Sequence, residues 1–343
     1  MEAISDKELE AKSQVLVIGP YSTGKTTFIR YLLGRDFNNM NIGPEPTTDS
    51  FTVLVHGDED RSVAGNSFTR ITSLPYSGLL QFGTGFLRRL TASISPSPFL
   101  EHITLVDTPG ALTGEAHQHR RSYSFPVVAR WFADRSDLIV LIFDAHKLDI
   151  SDELRDVMEG LVEHQDKVRI VLNKADQIER AHLMRVYGAL MWTMGTIFPN
   201  PEVVRVYVGS FWDRPLKYTA HARLFERDQT ALLGELAALP KESATRKMDA
   251  IMARVKRLKA HVCVLGHIRA QAYKDELLED LGGVFEEVRL KHGLHEADLP
   301  DVAKFGAVLR ALDVADLPAL RPATLQQLDD VVDVEFPRVS AAT

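Results

Sequence analysis

The feature that most constrains this chain is an eight-residue run, residues 19–26 (GPYSTGKT), which matches the pattern GxxxxGK[ST]. An apolar segment precedes this run and a helix-like segment follows it, the context expected of a phosphate-binding loop (P-loop) between a strand and a helix. Gly19 and Gly24 allow the backbone to curl so that its N–H groups converge on an anion, and the helix N-terminus adds partial positive charge. The sequence therefore predicts an α/β domain that binds a nucleotide through its phosphates.

Each side chain of the P-loop has an expected partner on the nucleotide. Lys25 is expected to reach the β- and γ-phosphates, and the Thr26 hydroxyl is expected to bind Mg²⁺, a hard cation that prefers oxygen ligands. Ser22 is placed to donate toward the oxygen that bridges these two phosphates. The residues predicted to contact the nucleotide here are Gly19, Tyr21, Ser22, Thr23, Gly24, Lys25, Thr26 and Thr27.

Two further segments are predicted to sense the metal and the γ-phosphate. The DTPG motif of residues 107–110 follows an apolar run, so Asp107 is expected at the carboxyl end of a strand, the ligand side of an open α/β sheet. We expect its carboxylate to hold Mg²⁺ through water and the Gly110 N–H to contact the γ-phosphate. In the loop of residues 43–49, Thr48 is expected to join the Mg²⁺ shell when the γ-phosphate is present, so that this loop reports the nucleotide state.

A base-recognition motif, NKAD, occupies residues 173–176 and follows the apolar run 168–172. An aspartate in this pattern accepts from guanine N1–H and N2–H₂, whereas adenine offers one amino donor and an acceptor nitrogen. From the residues alone, the motif therefore indicates GTP, although an N-capping role for Asp176 is compatible with it. The predicted base site consists of Asn173, Lys174, Asp176, Ser210 and Phe211.

The remaining apolar runs predict the sheet of this domain. Short apolar segments separated by longer amphipathic segments are typical of a mostly parallel sheet covered by helices on both faces. Residues 51–56, which are β-branched and aromatic, are predicted to form an antiparallel strand at the sheet edge. The other predicted strands are residues 14–18, 102–106, 138–143, 168–172 and 203–208.

Beyond Trp212 the strand-like runs stop and helix-forming residues dominate. Apolar residues recur at helical spacing from Ile251 to Leu265, which predicts a long helix after a turn at Leu239 and Pro240. The predicted helices span about residues 241–272 and 275–292. The predicted organisation is an N-terminal segment that packs with the helical domain (1–12), a nucleotide-binding domain (13–214), a helical domain (215–335) and a tail (336–343).

Composition narrows the possible partners. The formal net charge is −7, which gives no overall attraction to nucleic acid. The single cysteine, Cys263, excludes an internal disulfide and is interpreted as a small buried residue. No apolar segment reaches the roughly 18 residues of a membrane span, so a membrane would be met from the side. A local basic patch could meet anionic lipid, and the alternative is a solvated helix face paired with acidic residues 275–287. The patch consists of Arg254, Lys256, Arg257, Lys259, Arg269 and Lys274.

Long runs of the sequence carry a resemblance to a known family. These runs are residues 19–33, 42–50 (IGPEPTTDS), 143–152 (FDAHKLDISD), 171–177 (VLNKADQ), 183–192 (LMRVYGALMW) and 208–212 (VGSFW). They resemble the EH-domain-containing ATPases of the dynamin superfamily, and the resemblance extends from about residue 13 to 335. It implies a dynamin-type G domain with a helical domain, and ATP rather than GTP despite the NKAD motif. Lys25 and Thr26 match the family's P-loop lysine and threonine, and Thr48 matches its switch threonine.

The resemblance also implies how such a protein acts. It implies slow hydrolysis that assembly stimulates, dimers through the nucleotide domain, and oligomers that remodel membranes in endocytic and recycling traffic. It implies a cytoplasmic protein bound peripherally to the endosomal or plasma membrane. The family's EH domain has no counterpart in the chain, so EH-type peptide binding is not expected. The basic, hydrophobic tip that touches membranes in the family corresponds to residues 268–279, which are shorter here.

The expected reaction is in-line attack of water on the ATP γ-phosphate. Lys25, Thr48 and Gly110 are the predicted catalytic positions, and the predicted metal ligands are Thr26, Thr48 and Asp107. Ala111 follows the DTPG motif, so no glutamine is available there to orient water. Two other functions remain open, a nucleotide-gated scaffold that recruits a protein partner and a soluble switch that uses GTP.

Two other residues receive an interpretation from the sequence. Trp192 is interpreted as a packing residue. Arg121 is considered as a contact across a dimer of nucleotide domains, which the sequence alone does not test.

Overall fold

A computed structural model describes residues 11–38, 40, 50–111, 121–148, 150–198, 205–270, 280–310 and 321–338. The chain divides into two compact units, Met1–Lys241 and Glu242–Thr343. This division lies later than the boundary at residue 214 drawn from composition. The reason is that Leu232, Leu236 and Leu239, which follow the last strand, are buried in the core of the first unit.

The first unit is built on one mixed sheet. Its strands in the described residues are β1 (Ser13–Ile18), β2 (Phe51–His56), β3 (Arg61–Ala64), β4 (Leu90–Ser95), β5 (Ile103–Asp107), β6 (Leu138–Asp144), β7 (Val168–Asn173) and β8 (Val206–Val208). Their order is β3-β4-β2-β5-β1-β6-β7-β8. Among the described strands, only the pairs β2–β5 and β3–β4 are antiparallel, which confirms the prediction of a mostly parallel sheet.

The sheet differs from the predicted one on the side of β2. Strand β2 is antiparallel to β5, as predicted, but it lies between β4 and β5 and is therefore not an edge strand. Strands β3 and β4 were not predicted. Strand β3 is short and mostly exposed, and β4 (LTASIS) alternates with hydroxyl residues, so neither presents the continuous apolar run of a buried parallel strand.

Helices cover both faces of the sheet, as predicted. In the first unit they are α1 (Lys25–Leu33), α2 (Phe125–Arg135), α3 (Asp152–Gly160), α4 (Arg180–Ile197) and the first part of α5 (Ala222–Ala270). Short helical segments are Gly65–Phe68, Ser77–Phe82, Gly83–Leu87, Pro98–Glu101, Val162–Lys167 and Ala175–Gln177. Alternate residues of β1 point to opposite faces. Leu16 and Ile18 belong to one core cluster with α2, α3 and α4, while Val15 and Val17 belong to another with α1 and α5.

Helix α5 runs through the predicted turn at Leu239 and Pro240, so the turn was wrong. A proline inside a helix loses one backbone hydrogen bond and costs about 3 kcal/mol. Here the residues just before it, Leu236 and Leu239, are buried, and their burial offsets that cost.

The second unit is helical, as predicted. It contains the end of α5, α6 (Leu281–His292), α7 (Val302–Arg310) and α8 (Pro322–Asp330), with short segments Glu296–Asp298 and Val331–Glu335. The face of α5 that enters this core carries Ala260, Cys263, Val264 and Ile268. Cys263 is buried, as interpreted, but Leu258 of the predicted apolar stripe is exposed. The packed face of α5 is therefore offset from the apolar stripe that the sequence predicted.

None of the helices within the described ranges combines the length and the apolar character that a membrane-spanning helix requires.

Candidate nucleotide-binding site

The P-loop leaves β1 at Ile18 and enters α1 at Lys25. Gly24 has a φ of 90°, in the left-handed region that glycine adopts readily. A Cβ atom on Gly19 would come within 2.2 Å of the carbonyl oxygen of Ile142 in β6. Ser22 also has a positive φ, 64°, which is unusual for a residue with a side chain. Both glycines of the motif are thus required by backbone geometry, and the loop holds a strained serine of the kind found at ligand sites.

Lys25 is buried beneath this loop. Its Nζ donates to the carbonyl oxygens of Gly19 (3.1 Å) and Pro20 (2.8 Å). Burial lowers the pKa of Lys25 to about 8, and the negative charge of Asp107 opposes the lowering. The ammonium group therefore stays largely protonated near neutral pH but lies out of reach of solvent. A poorly solvated cation of this kind is stabilised by an anionic phosphate.

Thr26 and Asp107 form the second part of the phosphate end. The Thr26 hydroxyl donates to Asp107 Oδ2 at 2.7 Å. Burial raises the pKa of Asp107 to about 6, although Lys25 and the Thr26 hydroxyl oppose the rise. The Thr108 hydroxyl donates to the Val17 carbonyl oxygen at 2.8 Å and so ties the start of the DTPG turn to β1.

These residues fit a magnesium ion. Asp107 Oδ1 is buried and has no hydrogen-bond partner in the described part of the chain, so a carboxylate oxygen remains available beside the Thr26 hydroxyl. A hydroxyl and a carboxylate are ligands that Mg²⁺ prefers, and nucleotide enzymes typically supply one or two such groups while phosphates and water supply the rest. No cluster of three or more His, Cys, Asp or Glu residues suited to a metal occurs within the described ranges.

The end of the DTPG motif lies against the P-loop. The Ala111 N–H donates to the Gly19 carbonyl oxygen (3.2 Å), and the Tyr21 N–H donates to the Ala111 carbonyl oxygen (3.3 Å). A Cβ atom on Gly110 would come within 2.6 Å of the Tyr21 Cα, so this close approach requires glycine. The structure thus brings the predicted γ-phosphate contact next to the P-loop. Thr48, the predicted switch threonine, lies outside the described residues.

Sequence reasoning missed a buried ion pair beside Gly110. Arg121 donates to Glu153 Oε1 (2.9 Å) and to the Gly110 carbonyl oxygen (2.6 Å). The Arg121 side chain therefore makes contacts within its own chain. The sequence offered little signal for this pair because its members lie on different segments and match no phosphate-binding motif.

Lys174 of the NKAD motif is hydrogen-bonded to the P-loop. It has a φ of 58°, and its Nζ donates to the Ser22 carbonyl oxygen (2.5 Å) and to Asp144 Oδ2 (2.7 Å). Asp144 ends strand β6, at the carboxyl edge of the sheet where ligands bind in such folds. Asp144 was not predicted as a site residue, although its place at a strand end was a usable signal.

Asn173 also holds the P-loop in place, through both polar atoms of its side-chain amide. Its Nδ2 donates to the Thr23 carbonyl oxygen (2.9 Å), and its Oδ1 accepts from the Phe211 N–H (3.1 Å). The amide thus joins the P-loop to the loop after β8. The Phe211 ring itself is buried in the core and packs edge-on against Phe28, with centroids 5.1 Å apart. The ring of Phe211, a residue of the predicted base site, is therefore packed into the core.

Asp176 is placed differently from the prediction. Its side chain is 0% exposed. Its Oδ1 accepts from the Ser210 hydroxyl, and its Oδ2 accepts from the Lys217 N–H at 3.0 Å. Its N–H also donates to the Ser210 hydroxyl oxygen at 3.1 Å. Both carboxylate oxygens thus serve the loops around β8, so the structure does not support the outward-facing guanine acceptor that the motif alone indicated.

A strand, a P-loop, a DTPG turn and an NKAD motif on one sheet define a P-loop nucleotide-binding domain with a mostly parallel sheet, as predicted. Residues 14–174 match a family described as 50S ribosome-binding GTPase, and residues 242–340 match one described as a domain of unknown function, DUF5600. The second match begins where the second compact unit begins. The two units therefore correspond to separate sequence families.

The resemblance to the EH domain-containing proteins is confirmed. The chain is 42% identical over 345 residues to human EH domain-containing protein 1, an alignment that covers 98% of this chain and 65% of that protein. It is 41% identical over 348 residues to EH domain-containing protein 1 of Arabidopsis thaliana, covering 98% of this chain and 64% of that protein. The chain thus spans slightly less than two thirds of the length of these relatives. A solved structure of an oligomerised bacterial dynamin pair aligns with 15% identity and a TM-score of 0.47, covering 84% of this chain and 48% of that chain.

Proposed function

We propose that this chain binds and hydrolyses ATP with Mg²⁺, and that its nucleotide state controls self-association on a membrane surface. The observation that carries the choice of ATP is the burial of Asp176, whose two carboxylate oxygens already accept hydrogen bonds from Ser210 and Lys217. The similarity to the EH domain-containing proteins led to the same nucleotide at the level of sequence.

Guanine selection by an aspartate requires that its carboxylate face the base and accept from two adjacent donors. Asp176 would have to release Ser210 or Lys217 to do so, and leaving a buried donor unpaired costs about 1–3 kcal/mol. Without that contact the preference for guanine is lost. The choice of ATP over GTP then follows from the similarity to the EH domain-containing proteins.

The phosphate end supplies the chemistry of the reaction. Lys25 would hold the β- and γ-phosphates and offset the charge that develops on the γ-phosphate oxygens as water attacks in line. The Gly110 N–H would orient the γ-phosphate, and Tyr21, Ser22, Thr23, Gly24 and Thr27 would line the phosphate path. Thr26 and Asp107, with Thr48 outside the described residues, would hold Mg²⁺, which when bound neutralises phosphate charge.

Turnover of ATP and of GTP by the purified chain tests this proposal. We expect ATP to be hydrolysed in a Mg²⁺-dependent manner and GTP to be hydrolysed at least about tenfold more slowly, the ratio produced by roughly 1.4 kcal/mol. A chelator provides the control for the metal. Preferential consumption of GTP would overturn the choice of nucleotide and return Asp176 to the base site.

Self-association is supported by an exposed apolar stripe on α4. Trp192 is 79% exposed and Met184 is 67% exposed, so Trp192 is not the packing residue that the sequence suggested. The two residues lie eight positions apart, about two helical turns, and therefore share one face of the helix. A second copy of the chain is the partner proposed for this face.

Light scattering of the purified protein tests this surface. We expect the double variant Met184→Ala and Trp192→Ala to lower the average mass with nucleotide bound. Leu290→Ala provides a control, because Leu290 is 68% exposed but lies on α6 in the second unit. An unchanged mass for the double variant would remove α4 from the self-association surface.

Membrane contact is proposed for the exposed basic residues of α5. Lys256 and Arg257 are exposed, whereas Lys259 forms an ion pair with Asp329 at 2.5 Å and is removed from the predicted patch as a free cation. The predicted patch also includes Arg254, which is half-buried, and Arg269, which is exposed, while Lys274 lies outside the described residues. Each cation near anionic lipid contributes about 1 kcal/mol.

Sedimentation with anionic vesicles tests the membrane proposal. Reversal of both charges, Lys256→Glu with Arg257→Glu, is expected to weaken binding by at least about tenfold. Arg223→Glu with Arg227→Glu makes the same change in charge at exposed positions in the first unit, and is expected to have less effect. Equal losses in both variants would point to net charge alone. The endosomal or plasma membrane is the proposed location.

A further inference from the structure

Arg121 connects Glu153 to the DTPG turn, and no sequence motif predicts this contact. Its guanidinium group donates through one nitrogen to Glu153 Oε1 (2.9 Å) and through the other to the Gly110 carbonyl oxygen (2.6 Å). The side chains are 8% exposed for Arg121 and 6% exposed for Glu153. The pair is therefore almost completely withdrawn from solvent, where removal of one partner has large effects.

The contact to Gly110 fixes one particular peptide group. The carbonyl oxygen of the peptide between Gly110 and Ala111 accepts from Arg121, and the N–H of the same peptide donates to the Gly19 carbonyl oxygen at 3.2 Å. This peptide is thus held between the P-loop and Arg121. The neighbouring N–H, that of Gly110, is the group expected to meet the γ-phosphate. That N–H belongs to the preceding peptide, which shares the Gly110 Cα with the fixed one, so Arg121 acts on it by fixing the position of this Cα.

The surroundings of Arg121 favour arginine over other cations. Its guanidinium lies 4.7 Å from the centroid of the Phe125 ring at the start of α2. Glu153 lies in the first turn of α3, whose N-cap Ser151 accepts from the Leu154 N–H at 3.3 Å. A planar fork can donate in two directions while stacking on a ring, whereas an ammonium group acts as a point charge. Two helix starts therefore set the orientation of this one side chain.

We infer that Arg121 is a positioning residue, which orients the Gly110 N–H toward the γ-phosphate and is itself held by Glu153. This inference rests on the nucleotide site proposed above. It assigns the pair a role in distinguishing the triphosphate from the diphosphate, since only the triphosphate carries the group that Gly110 would contact. A nucleoside diphosphate would bind through the P-loop alone and would be insensitive to Arg121.

The test compares the affinities of the full chain for ATPγS and for ADP, both with Mg²⁺, by titration calorimetry. Arg121→Lys keeps the charge and loses the fork. We expect it to weaken binding of ATPγS by about tenfold, the effect of one charge-assisted hydrogen bond, and to leave ADP binding within about twofold. Glu153→Gln is expected to shift the ratio in the same direction, by about threefold.

The controls separate this role from simple support of the fold. Arg130→Lys changes an ion pair with Glu163 on the exposed side of α2, and both its nucleotide affinities should match the unaltered chain. Equal weakening of ATPγS and ADP by Arg121→Lys would show that Arg121 only supports the fold, and no weakening would also overturn the inference.

A parallel titration with GTPγS and GDP separates the two proposals. Tighter binding of the guanine pair would overturn the choice of ATP, while the ratio of triphosphate to diphosphate affinity would still test Arg121. An unaltered chain that binds no nucleotide would overturn both.

Discussion

The two ends of the nucleotide site use their polar side chains differently. At the phosphate end, Lys25 and Asp107 are buried with pKa values moved toward neutrality by burial, and Asp107 retains an oxygen without a partner among the described residues. At the base end, Asp176 is equally buried, but both its oxygens accept hydrogen bonds from the protein. At the phosphate end a carboxylate oxygen therefore remains available to a ligand, whereas at the base end both carboxylate oxygens are buried and engaged by the loops around β8.

This difference shows why two motifs of equal clarity in the sequence deserve different interpretations. The P-loop contacts its ligand largely through backbone groups, which its glycines position wherever the motif occurs between a strand and a helix. The NKAD motif contacts its ligand through one side chain, whose direction depends on the loops around it. A motif therefore predicts a ligand contact only where the surrounding structure leaves the reactive group unpaired.

The largest effect is expected at Lys25. Lys25→Ala removes the buried cation and should weaken binding of ATP by about 100-fold or more, because a desolvated charge contact is worth roughly 2–5 kcal/mol. Lys217→Ala is the matched control at the base end, since the Lys217 side chain is exposed and only its N–H bonds to Asp176. Titration of both variants with a fluorescent ATP analogue measures the effect. Comparable losses would erase the contrast between the two ends.

A somewhat smaller effect is expected at Asp107. Asp107→Asn removes a charged magnesium ligand, so ATP binding in the presence of Mg²⁺ should weaken by at least about tenfold. Binding in the presence of a chelator should change little. Affinities measured with and without the metal check this expectation, and an equal loss in both conditions would remove Asp107 from the metal site.

The pH dependence of the same binding gives a second measure of Asp107. Its pKa is raised to about 6, so the carboxylate is ionised above that pH and competes for a proton below it. Magnesium-dependent affinity should therefore fall as the pH drops through 6, by about tenfold for each further unit. Asp107→Asn should lack this component, which separates it from titration of the nucleotide itself. A profile identical to that of the variant would contradict the assignment.

The next effect in size is expected at Asn173. Asn173→Ala leaves the Thr23 carbonyl and the Phe211 N–H without their buried partner, which should lower the free energy of unfolding by about 2 kcal/mol or more. Affinities for ATP and GTP should fall by the same factor, because the amide links loops and does not read the base. Urea unfolding and paired titrations measure both quantities. Selective loss of one nucleotide would mean that Asn173 contacts the base.

Much of the nucleotide unit could be predicted from the sequence because its signals are local. The apolar runs around residues 14–18 and 138–143 became β1 and β6, and the P-loop and DTPG turn lie together as expected. Strands β3 and β4 could not be predicted, since their pairing partners rather than their own composition define them. The packed face of α5 was also misread, because Ala260, Cys263 and Ile268 fill the core, whereas Leu258 of the predicted stripe is exposed.

In the candidate site, too, residues of contiguous motifs could be predicted, whereas residues brought together only by the fold could not. Lys25, Thr26 and Asp107 were predictable because each follows from a contiguous motif. Arg121 and Glu153 were not, since their contact joins segments that are 32 positions apart and each residue alone resembles an ordinary surface charge. The internal role of Asp176 depends on Ser210 and Lys217, which only the folded loops bring to it.

The most direct test of this account is the nucleotide selectivity of Asp176→Asn, measured by parallel titrations with ATP and GTP analogues and by thermal unfolding. The account predicts that the unaltered chain prefers ATP and that the variant keeps the same ATP-to-GTP affinity ratio within about twofold. It also predicts that the variant unfolds more easily, by about 1–3 kcal/mol, because a buried acceptor for the Lys217 N–H or the Ser210 hydroxyl is lost. A preference for GTP that disappears in the variant would contradict it, and would show that Asp176 reads the base.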